Sequence, residues 1–124
     1  GLAGISGGEA FPPALVRPLL ARCGAGIWNV YGPTETTLWC TAHKLKISCG
    51  ESSSVSIGTP LANYFVFPAV PEEDDTDQKS EVCEGTDGEL IIGGTGVSLG
   101  YHQRPELTAR RFISWPPSLQ DAAA

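Results

Sequence analysis

The sequence contains no apolar run that could cross a membrane and no basic patch. A membrane-spanning helix needs about 18 consecutive apolar residues, and no stretch of this 124-residue chain approaches that length. Nucleic-acid-binding faces are marked by clusters of Lys and Arg, and the eight basic residues form none. No signal peptide is visible either. We therefore expect a cytoplasmic protein whose partners include neither a membrane nor a nucleic acid.

The four cysteines lack the paired spacing of a zinc site. They are Cys23, Cys40, Cys49 and Cys83. Zinc takes about four ligands at close spacing, and only Cys40, His43 and Cys49 lie near one another in the chain. Without a secretory context we expect reduced thiols in structural roles, and a metal site remains the weaker alternative.

The chain also contains no methionine, and its first residue, Gly1, already belongs to an apolar segment. We expect a piece of a longer chain, about one small domain in size. Its net charge of −6 is uneven, because residues 71–89 hold nine of the fourteen acidic residues and one of the eight basic ones. The nearly apolar-free segment 71–87 is predicted to be a mobile acidic surface loop. Residues 116–124 are predicted to be a disordered tail.

A strand–helix–strand pattern opens the chain. Residues 1–5 and 27–31 are short apolar runs, and residues 11–23 show helical spacing, with a kink expected at Pro18. This order predicts a βαβ unit with parallel strands. The later part is mainly β, so the predicted fold class is α/β. Further strands are predicted within 37–47, 55–70 and 88–94, and a short helix at 104–112.

Small and polar residues follow both predicted parallel strands. "SGGE" (6–9) ends the first strand and "NVYGPTETT" (29–37) ends the second. Ligands of open α/β sheets bind at the carboxyl ends of the strands, and glycines let a ligand approach the backbone. These two segments therefore mark the predicted binding edge of the sheet.

The side chains of the second segment suit a nucleotide. Tyr31 offers a flat face to a base, and Glu35 offers a carboxylate for a Mg²⁺ ion shared with phosphates. Hydroxyl donors for phosphate oxygens are supplied by Thr34, Thr36 and Thr37. The structural alternative is a Gly-Pro turn with threonines that cap a helix.

Two further glycine patterns allow other interpretations. Gly94, Gly96 and Gly100 form GxGxxxG, one residue longer than the dinucleotide fingerprint, and we favour a glycine-rich strand and hairpin over a phosphate cradle. "GISGG" matches G-x-S-x-G with Ser6 as a nucleophile, and an aspartate and a histidine follow in the order of an α/β-hydrolase-like serine esterase (Asp87, His102). We treat the esterase as a remote alternative.

Four segments together resemble one family. They are "GGEA" (7–10), "NVYGPTETT" (29–37), "IGTPLAN" (57–63) and "GELIIGGTGVSLGYHQRPELTARRF" (88–112). In this order they resemble the adenylation, or AMP-binding, domains of nonribosomal peptide synthetases, which are adenylate-forming enzymes. The resemblance implies that residues 1–115 are a fragment of the large subdomain of such an enzyme, inactive by itself.

The resemblance implies an AMP-forming ligase. ATP and an amino acid would give an aminoacyl-AMP, and the acyl group would pass to a phosphopantetheine thiol on a carrier domain, with Mg²⁺ as a cofactor. The alternative within the superfamily is an acyl-CoA or aryl-CoA ligase, and a remote one is an inactive binding remnant.

The resemblance also assigns site residues. Gly7, Gly8 and Glu9 correspond to the segment along the adenine, Asn29 to the adenine edge, and Tyr31 to the residue stacked on the ring. Beside Gly32, Thr34 corresponds to the phosphate-contacting threonine and Glu35 to the Mg²⁺ carboxylate, and these two are the predicted catalytic residues. The amino-acid pocket is implied to include Ile5, Gly7, Val30, Leu38 and Trp39.

Overall fold

The computed structural model describes residues 1–72, 75–81 and 87–114 of the chain. The chain divides into two compact units, Gly1–Ala62 and Asn63–Ala124, and each unit has its own sheet. In the described ranges no helix is both long enough and apolar enough to span a bilayer. The predicted tail 116–124 lies outside the described residues.

The first unit is built on a four-stranded sheet. Its first two strands pair in parallel and the others pair antiparallel, in the spatial order of the sequence. The parallel pair confirms the predicted βαβ unit. The strand predicted within 37–47 forms only at its centre, because the backbone before it turns. The strands are β1 (Ala3–Ser6), β2 (Gly26–Tyr31), β3 (Thr41–Lys44) and β4 (Thr59–Pro60).

The crossover between β1 and β2 is a helix that accommodates its proline. A 3₁₀ helix, Pro13–Leu15, leads into α1 (Val16–Arg22). Pro18 is the third residue of α1, and the first four N–H groups of a helix have no acceptor within it. The missing N–H of Pro18 therefore costs no helical hydrogen bond. The distortion that the sequence predicts at Pro18 is accommodated by starting the α-helix at Val16.

The core of the first unit lies between α1 and one face of the sheet. Side chains alternate between the faces of a strand, so Ile27 of β2 packs toward the helix while Trp28 points away and is 40% exposed. The ammonium group of Lys44 lies 5.8 Å from the centre of the Trp28 ring. Burying the apolar side chains stabilises this arrangement by about 25 cal/mol per Å². The buried core residues are Phe11, Val16, Ile27 and Leu45.

The second unit is a three-stranded antiparallel sheet followed by a short helix. Its central strand is β5 (Tyr64–Glu72), which pairs with β6 (Asp75–Glu81) on one side and β7 (Glu89–Gly94) on the other. The helix is α2 (Pro105–Arg111), close to the predicted bounds, and the Tyr101 and Phe112 rings that flank it meet edge to face at 5.5 Å.

The acidic segment is not a loop throughout. The predicted mobile loop 71–87 is wrong for 71–72 and 75–81, which belong to β5 and β6. The physical reason is that an edge strand is held by backbone hydrogen bonds to one neighbour and tolerates a charged sequence, which also disfavours pairing with other chains. Residues 73–74 and 82–86 of the predicted loop lie outside the described ranges.

The glycines after β7 serve the packing of their own unit. A Cβ atom on Gly94 would lie 2.1 Å from the carbonyl oxygen of Asn63, and one on Gly96 would overlap the Tyr64 hydroxyl. The N–H of Thr95 donates to the same Asn63 oxygen at 3.1 Å. These contacts favour the strand-and-hairpin interpretation of the GxGxxxG pattern over a phosphate cradle.

Candidate functional site

The two polar segments predicted to form a site emerge side by side. In the parallel pairing of β1 with β2, Ser6 is the partner of Asn29 at the carboxyl ends of the strands. Gly7 continues from the first strand, and the turn that begins at Gly32 continues from the second. The register of one parallel pair therefore brings both segments to a single edge of the sheet.

Predicted pocket residues share the sheet face that points away from α1. Ile5 is paired with Trp28, and the alternation of a strand puts Val30 on that same face. A Cβ atom on Gly7 would lie 2.5 Å from the carbonyl oxygen of Val30 and 2.8 Å from the Trp39 ring. Ile5 is 71% exposed. The structure thus brings together Gly7, Val30 and Trp39, with Ile5 beside them on an open apolar face.

The turn after β2 is closed by backbone and threonine hydrogen bonds. The backbone N–H and the hydroxyl of Thr36 both donate to the Pro33 carbonyl, at 3.0 and 2.9 Å. Thr37 and Leu38 then adopt left-handed conformations, with φ of 57° and 97°. Leu38, a predicted pocket residue, is 66% exposed at this turn. A Cβ atom on Gly32 would lie 2.0 Å from the Leu38 carbonyl oxygen, so the turn requires glycine there.

One of the expected phosphate donors has a structural role instead. Thr36 is only 3% exposed, and its hydroxyl donates to Pro33 within the turn. The expectation that Thr36 faces a phosphate is therefore wrong in this structure, because the short 3₁₀ helix Thr34–Thr36 directs it inward. Thr34 and Thr37 are exposed and Glu35 is half-buried.

Two hydrogen bonds from Cys40 connect the C-terminal end of the turn to Tyr31. Its backbone N–H donates to the Tyr31 carbonyl at 2.8 Å, and its thiol donates to the same oxygen at 3.4 Å. Cys40 is fully buried. Burial raises the pKa of its thiol, and a hydrogen bond with Thr36 opposes that shift without cancelling it. This role of Cys40 could not be predicted from local sequence, because only the fold places Cys40 against Tyr31.

Tyr31 lies at the centre of the site as a neutral ring. Burial raises the pKa of its phenol, and the charges of Cys40 and Glu35 raise it further. The phenol therefore keeps its proton to a higher pH than an ordinary phenol does. The electrostatic influence of Glu35 on Tyr31 also means that the predicted metal carboxylate and the predicted stacking ring belong to one local site.

The side chain of Asn29 is hydrogen-bonded to the loop that precedes β4. Its side chain is 4% exposed, and its Nδ2 group donates to the Ser56 carbonyl at 2.9 Å. The neighbouring Thr41 hydroxyl donates to the Ile57 carbonyl at 2.7 Å. The sequence did not predict either of these hydrogen bonds, although it identified "IGTPLAN" as a motif. The contact of Asn29 with an adenine edge stays a prediction.

Gly7, Gly8 and Glu9 are exposed beyond the end of β1. Gly8 has a φ of +100°, and a Cβ atom there would meet no other atom within 4 Å. The segment therefore combines an open backbone with a conformation that favours glycine. Its predicted position along an adenine ring stays a prediction.

Neither alternative site is assembled among the residues that the structure describes. Ser6 is an ordinary residue of β1, paired with Asn29, and does not occupy the strained turn that a nucleophile elbow requires. The Cys40 thiol turns toward Tyr31, whereas His43 and Cys49 contact each other. No group of three or more His, Cys, Asp or Glu side chains suited to a metal occurs in the described part of the chain.

Comparisons with known proteins identify relatives for nearly the whole chain. The AMP-binding enzyme family model matches residues 2–102. The chain is 38% identical over 110 residues to the nonribosomal peptide synthetase agiA of Aspergillus flavus, covering 89% of this chain and 1% of agiA. It is 39% identical to the dimodular nonribosomal peptide synthase of Bacillus subtilis, covering 94% of this chain and 4% of that protein. The chain thus spans a small part of its curated relatives.

Solved structures give the same result. A four-domain nonribosomal peptide synthetase bound to AMP and glycine matches with a TM-score of 0.79 and 40% identity, over 94% of this chain and 8% of that one. The N-terminal subdomain of Klebsiella oxytoca NpsA, in complex with 3-hydroxybenzoyl-AMSN, matches with a TM-score of 0.77 and 31% identity, over 92% of this chain and 28% of that one. These matches confirm the predicted α/β fold and the predicted resemblance.

A substitution at Gly32 tests the closed turn. In Gly32→Ala the new methyl group meets the Leu38 carbonyl at 2.0 Å, and we expect a loss of at least about 2 kcal/mol of unfolding free energy. Urea unfolding of the chain followed by circular dichroism measures it. The matched control is Gly24→Ala, whose nearest neighbour would be the Gly1 Cα atom at 3.8 Å. Equal losses for both variants would show that the turn is not closed in this way.

The raised pKa of Cys40 predicts a loss of stability in alkali. The folded chain favours the neutral thiol, so the contribution of Cys40 is present below the ordinary thiol pKa of 9.0 and declines as the pH rises above it. We expect the stability advantage of the wild type over Cys40→Ala to shrink above pH 9.0. Urea unfolding at pH values below and above 9.0 measures this difference in unfolding free energy, and Cys23→Ala is the control. Parallel curves for the wild type and Cys40→Ala would contradict the prediction.

Proposed function

The chain belongs to the AMP-binding enzyme family, and on that premise we propose that it forms part of the ATP and acyl site of an amino-acid-activating adenylation domain. The observation that carries the proposal is the register of β1 and β2, which puts Gly7 beside the end of β2 at Tyr31 and the turn that bears Thr34 and Glu35. The domain is assigned to residues 1–115. The proposed compartment is the cytoplasm.

The proposed reaction has two steps. An oxygen of the amino-acid carboxylate attacks the α-phosphorus of ATP, which gives an aminoacyl-AMP and releases pyrophosphate. A phosphopantetheine thiol on a carrier domain then takes the acyl group and releases AMP. Support comes from the similarity to nonribosomal peptide synthetases and to a structure that contains adenylation and PCP domains. The proposed partners are thus an amino acid and a carrier domain, with no nucleic acid and no membrane.

The adenine is proposed to lie against Tyr31. The Tyr31 ring is uncharged at neutral pH, as a phenol ordinarily is, and its raised pKa keeps it uncharged at higher pH. A flat neutral ring stacks on a base without charge repulsion. The segment Gly7 to Glu9, in which the backbone is open at Gly8, is proposed to run along the adenine. Asn29 is proposed to contact the adenine edge through its side-chain oxygen, since its Nδ2 group is already bonded to Ser56.

The phosphates are proposed to lie over the short helix that follows Pro33. Thr34 supplies an exposed hydroxyl, and Glu35 supplies a half-buried carboxylate in the same turn. A carboxylate that shares an ion with phosphates is the arrangement Mg²⁺ favours, so the residues fit this metal. Bound there, Mg²⁺ would neutralise phosphate charge. The chain's own contribution is to fix the position of Glu35 through the glycine-dependent turn at Gly32.

The side chain of the amino acid is proposed to lie on the apolar face of the sheet. Val30 and Trp39 pack around Gly7, and any side chain at Gly7 would overlap both. Ile5 lies on the same sheet face as an exposed apolar group, and the exposed Leu38 of the turn is proposed to extend this surface. A surface of this composition favours a substrate side chain of modest size and low polarity.

The role of Glu35 is tested by Glu35→Gln in a complete adenylation domain that contains these residues. Loss of the carboxylate removes stabilisation of the developing phosphate charge, so we expect amino-acid-dependent ATP–pyrophosphate exchange to fall by about 100-fold or more. Glu51→Gln is the matched control, because Glu51 is exposed and pairs with Arg17 at the surface. Exchange that survives Glu35→Gln at the wild-type rate would refute this role.

The acyl acceptor separates this function from that of a CoA ligase. In the same complete domain, we expect labelled amino acid to transfer to a phosphopantetheinylated carrier domain. With free coenzyme A in place of the carrier, we expect no acyl-CoA above background. The products are separated by gel electrophoresis and by chromatography. Efficient acyl-CoA formation without carrier loading would replace the proposal with the acyl-CoA or aryl-CoA ligase alternative.

A further inference from the structure

A small open cavity lies in the first unit, between the end of β3 and the loop that precedes β4. Its volume is about 210 Å³, and serine hydroxyls form much of its lining. His43 and Cys49 also face it. None of these residues belongs to the proposed ATP and acyl site. The lining serines are Ser48, Ser52, Ser54 and Ser56.

The cavity contains a thiol in contact with an imidazole. The Sγ atom of Cys49 lies 3.4 Å from Nε2 of His43 and accepts a hydrogen bond from the backbone N–H of Lys46 at 3.3 Å. His43 belongs to β3 and is paired with Asn29 of β2, and Cys49 belongs to the 3₁₀ helix Ile47–Gly50. Both side chains therefore come from ordered elements that hold the thiol and the imidazole together.

This arrangement suits a nucleophilic thiol. The reactive form of cysteine is the thiolate, and a neighbouring histidine activates a thiol by accepting its proton. A backbone N–H that donates to the sulfur stabilises the charge that remains. Cys40 is fully buried, whereas Cys23 and Cys49 both pack at the edge of the apolar core, and Cys49 also contacts a histidine. Among these three free thiols, only Cys49 lines the cavity.

We propose that Cys49 is a site of reversible S-thiolation by small polar disulfides. The Sγ atom attacks one sulfur of the disulfide, so a new S–S bond forms and the S–S bond of the reagent breaks. His43 accepts the thiol proton and delivers it to the leaving thiolate, which departs as a free thiol. The disulfide is the only co-reactant. The cavity provides hydroxyl partners for one half of a hydroxylated reagent.

The experiment uses bis(2-hydroxyethyl) disulfide with the 124-residue chain. The reaction is stopped with acid, and the fraction of each cysteine modified is measured by peptide mass spectrometry. We expect Cys49 to react about tenfold faster than Cys23, with Cys40 slower than either. In urea the chain unfolds and we expect this advantage to disappear. A Cys49 rate no higher than that of Cys23, or a Cys49 advantage that persists in urea, overturns the proposal.

The role of His43 has its own test. In His43→Ala the Cys49 rate should fall about tenfold, and imidazole added to the buffer should restore much of it. The matched control is His102→Ala, since His102 is the other histidine of the chain, is exposed and lies outside the cavity. Continued protection of Cys40 reports that each variant is folded. An undiminished rate in folded His43→Ala, or a loss that imidazole does not reverse, refutes proton acceptance by His43.

Discussion

The parallel pairing of β1 with β2 is the constraint on which the rest of the first unit depends. The pairing fixes Ser6 opposite Asn29, so that two segments separated by a helix in sequence leave the sheet at the same edge. It also fixes the faces, because the core between α1 and Ile27 takes one side of the sheet and leaves Val30 on the other. A slip of one residue would exchange these faces. The apolar core therefore holds the register that the site needs.

The site edge is stabilised by buried polar groups rather than by apolar packing alone. Asn29, Thr36 and Thr41 are the buried polar residues of the described part of the chain, and each donates to a backbone carbonyl. Burying such groups is costly unless they are hydrogen-bonded. The Asn29 and Thr41 bonds connect strands to the loop before β4, and the Thr36 bond closes the turn after Tyr31. The contacts that satisfy these groups therefore also position the strand end and the turn.

The outline of the fold could be predicted from local patterns. The apolar runs predicted the parallel pair and the strand in residues 88–94. The segment that begins near Pro105 predicted α2. The acidic strand β6 could not be predicted, because it is held by backbone bonds to β5 and its sequence lacks the apolar alternation that marks a strand. The inward direction of Thr36 could not be predicted either, since the three threonines within residues 34–37 carry no sign of which one the turn will bury.

The sequence by itself determined the chemistry that is available: a ring at Tyr31, a carboxylate at Glu35, hydroxyls beside them, and glycines where the chain must turn sharply. Those residue types at those spacings were enough to suggest a nucleotide and to mark the family resemblance. Only the tertiary structure decided which groups remain open and which are used internally. In the folded chain, Asn29 Nδ2 donates a hydrogen bond to the Ser56 carbonyl and the Cys40 thiol donates one to the Tyr31 carbonyl. The His43 imidazole contacts the Cys49 thiol. Each of these is a contact between separate elements, and such contacts follow from register and packing rather than from local sequence.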